Sequence, residues 1–243
     1  MTASPVFCAV DTPTIDAAKS LASRLTGLVG GLKLGLEFFL ANGQDGYRAL
    51  AAHDLPIFLD LKLHDIPNTV AGAVRSVTPL KPAFLTVHAS GGPAMMKAAA
   101  DAARETAGKL GIPRPRLLGV TVMTSLDSDD LGAVGQDSDM AAQVDRLAAL
   151  SQESGLDGIV CSPHEIERLR RRSGDGFVLM VPGIRPRWAA ANDQKRVLTP
   201  AEAVALGADH LVIGRPITAA VDPAEAAGRI ANELELERSG PHF

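Results

Sequence analysis

Apolar residues fall in short blocks along the whole chain, separated by longer stretches with helical spacing. Val6-Phe7-Cys8-Ala9-Val10 reads as a buried strand, and residues 16–25 read as the helix that follows it. Further strands are expected at 31–34, 57–61, 84–87, 117–122, 158–161, 177–181 and 210–213. Helices are expected at 37–40 and 47–52, then at 69–77, 94–107, 140–154, 163–172, 200–206 and 223–237. Eight strands alternating with helices imply parallel strands and crossover helices. The strand segments are continuous apolar runs, the pattern of strands covered on both faces. An α/β fold with a single (β/α)8 TIM barrel over residues 1–243 explains the count best. An open sheet of six strands is the alternative.

Length supports the barrel: 243 residues suit one such domain. A hydrophobic fraction of 46% is enough to fill a large core. The net charge of −4 and pI of about 5.9 give no basic footprint for nucleic acid, so an anionic ligand must be held by local cations. The two cysteines, Cys8 and Cys161, sit inside apolar runs and are expected to be packed in a reducing compartment. Their spacing does not suggest a metal site. No basic segment followed by a long apolar stretch opens the chain, and no apolar run approaches the ~20 residues of a membrane span. A cytoplasmic protein without membrane attachment is the expectation.

In a barrel the active site forms at the C-terminal ends of the strands. Asp11, Asp60, Lys62 and His88 stand at such ends, and Lys33 lies on the second strand. Thr124-Ser125, Gly183-Ile184-Arg185 and Gly214-Arg215 follow later strands. Any one of these could be a solvated loop residue, but together they argue for a site. The sharpest segment is Asp60-Leu61-Lys62-Leu63-His64-Asp65. Side chains two apart on a strand share a face, so Asp60 and Lys62 are expected to point together into the barrel mouth. Neighbouring carboxylates would keep a partly buried lysine charged. A salt bridge capping the strand is the plainer reading of the same residues.

The end of the chain has a phosphate-binding character. Barrels often hold phosphate with the loops after strands seven and eight and a helix N-terminus. Here those loops carry Gly183-Ile184-Arg185-Pro186 and Gly214-Arg215-Pro216. Gly214 permits close backbone approach, and Arg215 supplies a planar, permanently charged fork. A phosphate ester is the ligand class indicated. The polar stretch 185–196 has the character of an active-site loop.

The run Asp60-Leu61-Lys62-Leu63-His64-Asp65-Ile66-Pro67-Asn68-Thr69 resembles the signature of bacterial orotidine 5'-phosphate decarboxylases. Val10-Asp11, Lys33-Leu34-Gly35, Val87-His88-Ala89-Ser90-Gly91-Gly92, Val120-Thr121-Val122-Met123-Thr124-Ser125, Asp157-Gly158-Ile159-Val160-Cys161-Ser162, Pro182-Gly183-Ile184-Arg185-Pro186, Asp193-Gln194 and Gly214-Arg215-Pro216 match the family in order. The Asp-x-Lys-x-x-Asp core is shared with a wider group of phosphate-binding barrels, and the Ile-Pro-Asn-Thr continuation makes the match specific. The resemblance implies a lyase that converts orotidine 5'-monophosphate to uridine 5'-monophosphate and CO2 in pyrimidine biosynthesis. It implies no metal and no cofactor, and a homodimer whose active site is shared across the interface. Lys62 would then protonate C6 as CO2 leaves, with Asp60 beside the substrate carboxylate. Asp65, Ile66 and Thr69 would reach the partner's site. Asp11 and Lys33 would bind ribose hydroxyls, and Thr124 the pyrimidine edge. Arg185, Gln194, Gly214 and Arg215 would hold phosphate, with Gln194 also reaching the base from a closing loop.

Those residue types suit the reaction. Decarboxylation at an sp² carbon leaves a localised carbanion with no conjugated electron sink. A fixed ammonium can stabilise that charge and then deliver a proton. Three other readings remain: a metal-dependent phosphate barrel such as a hexulose-phosphate synthase or pentose-phosphate epimerase, a Schiff-base aldolase, and a non-catalytic nucleotide binder. A charged lysine is the wrong state for imine formation, which weighs against the aldolase. His88 is read as a hydrogen-bonding scaffold residue, His64 as lacking a partner at metal-ligand spacing, and Trp188 as packed or exposed.

Overall fold

A computed structural model describes residues 4–189 and 198–239. It contains eight strands in the order β1 to β8, closed into a barrel. They are β1 (Val6–Val10), β2 (Gly31–Gly35), β3 (Ile57–Leu63), β4 (Phe84–His88), β5 (Arg116–Val120), β6 (Gly158–Val160), β7 (Val178–Pro182) and β8 (His210–Ile213). The pairs β1/β2, β1/β8, β4/β5, β5/β6 and β6/β7 run parallel. This is the arrangement expected from alternating apolar blocks and helices, and it replaces the open six-stranded alternative. Every residue of β1 is buried, and most of β4, β5 and β7 with it. Covered on both faces, these strands have no polar alternation to display.

The chain clusters into two compact units, residues 1–58 with 181–243, and residues 59–180. In the first, α1 (Ile15–Leu25) follows β1 and buries Ala18, Ala22 and Leu25. α2 (Leu36–Ala51) follows β2 and buries Phe38, Tyr47 and Leu50. Gly43, with φ of 60°, interrupts α2, which explains why the sequence pattern there breaks into two helical pieces. Phe7 meets Phe58 edge-on at 6.3 Å and His210 at 5.3 Å, so aromatic packing links β1 with the start of β3 and with β8. α8 (Pro200–Ala205) begins at a capping box in which Thr199 and Glu202 satisfy each other's backbone N–H groups. α9 (Arg215–Thr218) follows β8, and α10 (Pro223–Ser239) closes the described chain, with Ala226, Ala227, Ile230 and Leu234 buried.

In the second unit α3 (Pro67–Val77) packs on α4 (Gly92–Leu110). Val70, Val74 and Val77 are buried on α3, and Met95, Met96, Ala99, Ala100 and Ala103 on α4. The small alanines allow close helix approach, and Gly111 ends α4 in a left-handed conformation. α5 (Ser128–Ala133) and α6 (Met140–Glu153) follow β5, and α7 (Ile166–Ser173) follows β6. Arg114 grips Asp157 with two hydrogen bonds of 2.8 and 2.6 Å, and Asp157 also accepts from the Leu117 backbone at 2.7 Å. That bidentate pair ties the start of β5 to the turn before β6.

Gly158 marks a tight strand contact. A Cβ there would lie 2.3 Å from the Val178 carbonyl oxygen and 2.5 Å from the Val178 Cβ, both on the paired strand β7. Gly158→Ala should therefore destabilise the fold by about 1–3 kcal/mol, as overpacked core positions do. Urea unfolding checks it, and a midpoint equal to that of the wild type would show that β6 and β7 have slack.

Candidate active site

Asp60 lies on β3 and is buried, with only 8% of its surface exposed. A carboxyl group without partners would be costly there. Lys62 Nζ donates to Asp60 Oδ2 at 2.7 Å, and the Thr86 hydroxyl on β4 donates to Asp60 Oδ1 at 2.9 Å. Both carboxylate oxygens are satisfied. The same Thr86 oxygen accepts the Lys62 backbone N–H at 2.8 Å. Strand periodicity puts Asp60 and Lys62 on one face, and they meet as a charge pair. Lys62 has φ of 47°, a left-handed conformation that costs a non-glycine residue on the order of 1–3 kcal/mol. The lysine side chain keeps about a third of its surface exposed, enough to face a ligand.

Only one carboxylate of the same chain flanks Lys62 among the described residues. Asp65 turns its Oδ1 to the Ile66 backbone N–H at 2.7 Å and forms no ion pair among the described residues. Asp65, Ile66 and Thr69 are all solvent-exposed, Ile66 at 67% despite being a large aliphatic residue. Thr124 is exposed beyond β5, which ends at Val120, two residues earlier than the apolar run suggests.

The other unit brings Asp11 and Lys33 together. Lys33 Nζ, on β2, donates to Asp11 Oδ1 at 3.5 Å, just past the end of β1. The lysine side chain is 13% exposed and the aspartate 63%, so the carboxylate faces solvent. Gly35 makes the room: a Cβ there would stand 3.2 Å from Lys33 Nζ. Gly214, after β8, would put a Cβ 3.8 Å from Asp11 Oδ2. Arg215 is exposed at the start of α9, and its side chain has no ion pair among the described residues. Gly183 has φ of 78°, a turn open to glycine, and the buried Ile184 anchors the segment that carries Arg185. Arg185 donates its backbone N–H to Leu198 O at 3.2 Å and also lacks an ion pair among the described residues. Gln194 lies outside the described residues.

A sequence model described as "Orotidine 5'-phosphate decarboxylase / HUMPS family" matches residues 4–230. This chain belongs to that family. A relative from Rhodospirillum rubrum named orotidine 5'-phosphate decarboxylase is 58% identical over 235 residues, spanning 96% of this chain and 95% of its own. A relative of the same name from Paramagnetospirillum magneticum is 58% identical over 233 residues, spanning 96% and 99%. The crystal structure titled orotidine 5'-phosphate decarboxylase from Lactobacillus acidophilus superposes with a TM-score of 0.83 at 37% identity, over 95% of this chain and 99% of that one. The chain is accordingly an enzyme of the lyase class found throughout these relatives. No helix of the described residues is long and apolar enough to cross a membrane.

Within this family fold, two features escape a reading of the sequence. Thr86 is fully buried and holds both Asp60 and Lys62, yet it hides in the apolar run of β4. Its signal is the spacing Thr86-x-His88, two polar residues on one face of an otherwise apolar strand. The second is the stacking of His64 on His88, with ring centroids 5.3 Å apart and planes tilted by 35°. His64 therefore does have a neighbour, although among the described residues no group of three or more His, Cys, Asp or Glu is placed to hold a metal ion. Trp188 is packed under the Arg229 guanidinium at 4.2 Å. The Cys8 thiol is pushed up to about 12, first by burial and then by Asp11, with Lys33 opposing, so it stays an inert core thiol.

His88 is held below its ordinary value of 6.5, first by burial, then by the electrostatics of its neighbours His64 and Lys62, with Asp60 opposing. The unfolded chain therefore takes up that proton first. The contribution to stability is full above 6.5 and is lost as pH falls below it towards the folded-state value. Urea midpoints at about pH 8 and about pH 5.5 check this. The wild type should lose more stability across that window than His88→Asn does, and equal losses would show that His88 does not carry the effect.

Proposed function

We propose that the chain acts as one barrel domain and decarboxylates orotidine 5'-monophosphate to uridine 5'-monophosphate and CO2, in pyrimidine biosynthesis. The observation that carries this reading is the Asp60–Lys62 pair at the end of β3, held by Thr86, in a member of this family. The Lys62 ammonium is the stabilising charge and the proton donor. As the bond from C6 to the carboxylate breaks, its electron pair stays on C6 beside Nζ and then takes a proton from it. Asp60 lies beside the departing carboxylate, and the hydrogen bond from Thr86 keeps it from turning away. Asp11 and Lys33 bind ribose hydroxyls, and Thr124 the pyrimidine edge. Arg185, Gln194, Gly214 and Arg215 take the phosphate. Binding the phosphate, remote from the reacting carbon, contributes energy that serves the transition state as well as affinity. No metal or organic cofactor enters this scheme, and the protein works in the cytoplasm with neither nucleic acid nor membrane as partner.

The exposed Ile66, and Asp65 beside it with no ion pair among the described residues, suit a homodimer in which Asp65, Ile66 and Thr69 complete the partner's site.

The decisive assay follows loss of orotidine monophosphate absorbance in the presence of EDTA. The wild type should turn over, and Lys62→Ala should lose more than about 10⁴-fold in kcat, because one group supplies both charge and proton. Robust activity in the variant would refute the mechanism. No turnover by the wild type would leave a binder, and EDTA-sensitive turnover would favour a metal-dependent relative. The shared site has its own check. Lys62→Ala and Asp65→Ala are mixed after mild unfolding. In a two-fold dimer half the pairs are mixed, and half of their sites are intact, so about one quarter of wild-type activity should return. A mixture as inactive as its components would place Asp65 in its own chain's site, and a fully active Asp65→Ala alone would place it in none.

A further inference from the structure

We propose that Thr86 is a positioning residue for the reaction, acting on Lys62 and Asp60 together through a single hydroxyl. The inference rests on the reading of Lys62 and Asp60 given above. Thr86 is fully buried on β4, and its Oγ1 does two things at once. It donates to Asp60 Oδ1 at 2.9 Å and accepts the Lys62 backbone N–H at 2.8 Å. A hydroxyl has one proton to give and lone pairs to receive with, so both directions are used.

The accepted bond has a specific consequence. Among the described residues Lys62 is one of three non-glycine residues with positive φ, the others being Asp54 and Lys81. A left-handed residue persists only where its surroundings over-determine it. At Lys62 the backbone N–H is anchored by Thr86, while Nζ is anchored by Asp60 Oδ2 at 2.7 Å. Asp60 is in turn anchored through its other oxygen by Thr86. The three residues form a closed ring of hydrogen bonds: Thr86 to Asp60, Lys62 Nζ to Asp60, and Lys62 N–H back to Thr86. The ammonium is fixed at both ends of its residue, and the carboxylate at both oxygens. Without the hydroxyl, Asp60 can rotate about its side-chain bonds, and the Lys62 backbone loses the acceptor that holds its strained conformation. Nζ then follows whichever position the loosened carboxylate adopts.

Such a device should govern the chemical step more than binding. Nothing in Thr86 reaches out to the ligand, because the residue is fully buried and its hydroxyl is occupied twice. Displacement of a reacting group by about 1 Å costs on the order of a hundredfold in rate.

The test compares Thr86→Val, which keeps the shape and removes the hydroxyl, with Thr86→Ser, which keeps the hydroxyl and removes a methyl. Each is assayed for kcat and KM with orotidine monophosphate, and its thermal midpoint is recorded. Thr86→Val should lose about a hundredfold in kcat with KM changed by less than threefold, and Thr86→Ser should recover most of the loss. A purely structural role would lower the midpoint in both and leave kcat per folded molecule intact, and that result overturns the proposal. If Thr86→Val does not fold, Thr86→Ala is compared with Thr86→Ser in the same way, and failure of both apolar variants to fold would also overturn it, by making the hydroxyl a requirement of the fold. Turnover by the wild type separates the outcomes. An inactive wild type refutes the decarboxylase reading itself, whereas an active wild type with a fully active Thr86→Val refutes only the role of Thr86.

Discussion

A carboxylate buried at a strand end is the constraint on which the candidate site depends. At 8% exposure the Asp60 carboxyl group needs hydrogen-bond partners for both oxygens, and Lys62 and Thr86 supply them. Each partner is fixed in its turn, the lysine by its left-handed backbone and the threonine by the core of β4. An ammonium paired on a flexible loop would wander through many rotamers. Here both ends of the residue are tied, so its charge is preorganised before any ligand arrives.

The scaffold that permits this is built from strands with almost nothing polar in them. β1 is buried throughout, and Leu85, Val87, Leu117, Leu118, Ile159, Leu179 and Met180 are fully buried or nearly so. Polar side chains are therefore confined to strand ends and to positions where another polar group meets them. Lys33 with Asp11, and Asp60 with Lys62 and Thr86, are of the second kind. Glycine sets the tolerances, at Gly158 where two strands nearly touch and at Gly35 where a side chain would press on the Lys33 ammonium.

Most of the fold was legible because its strands are short apolar blocks of period-independent burial, and eight of them in alternation with helices admit few architectures. Boundaries were less legible. β5 stops at Val120 although the apolar run goes on, because the chain turns away from the sheet before Val122. α5 was missed, being too short to show a period, whereas Pro216 marks the first turn of the still shorter α9. In the site, Asp60 and Lys62 could be paired from spacing alone, since side chains two apart on a strand share a face. Asp65 could not be placed that way, because it lies past the strand, where periodicity has ended. Thr86 was overlooked for the opposite reason. A threonine in an apolar run looks like an ordinary β-branched strand residue, and only a partner from another strand reveals its hydroxyl as useful.

The arrangement of arginines bears on the proposed phosphate site. The chain is net negative at −4, so no global field draws in a dianion. Arg24, Arg48, Arg104, Arg114, Arg146, Arg168, Arg172 and Arg187 are each committed to a carboxylate. Arg185 and Arg215 follow β7 and β8 and are committed to none among the described residues. A guanidinium left without a counter-ion in an acidic protein repels little and pairs readily with an incoming phosphate, bidentately if the geometry allows. Under the proposed function, Arg185 and Arg215 would give the phosphate a local destination that the overall charge does not provide.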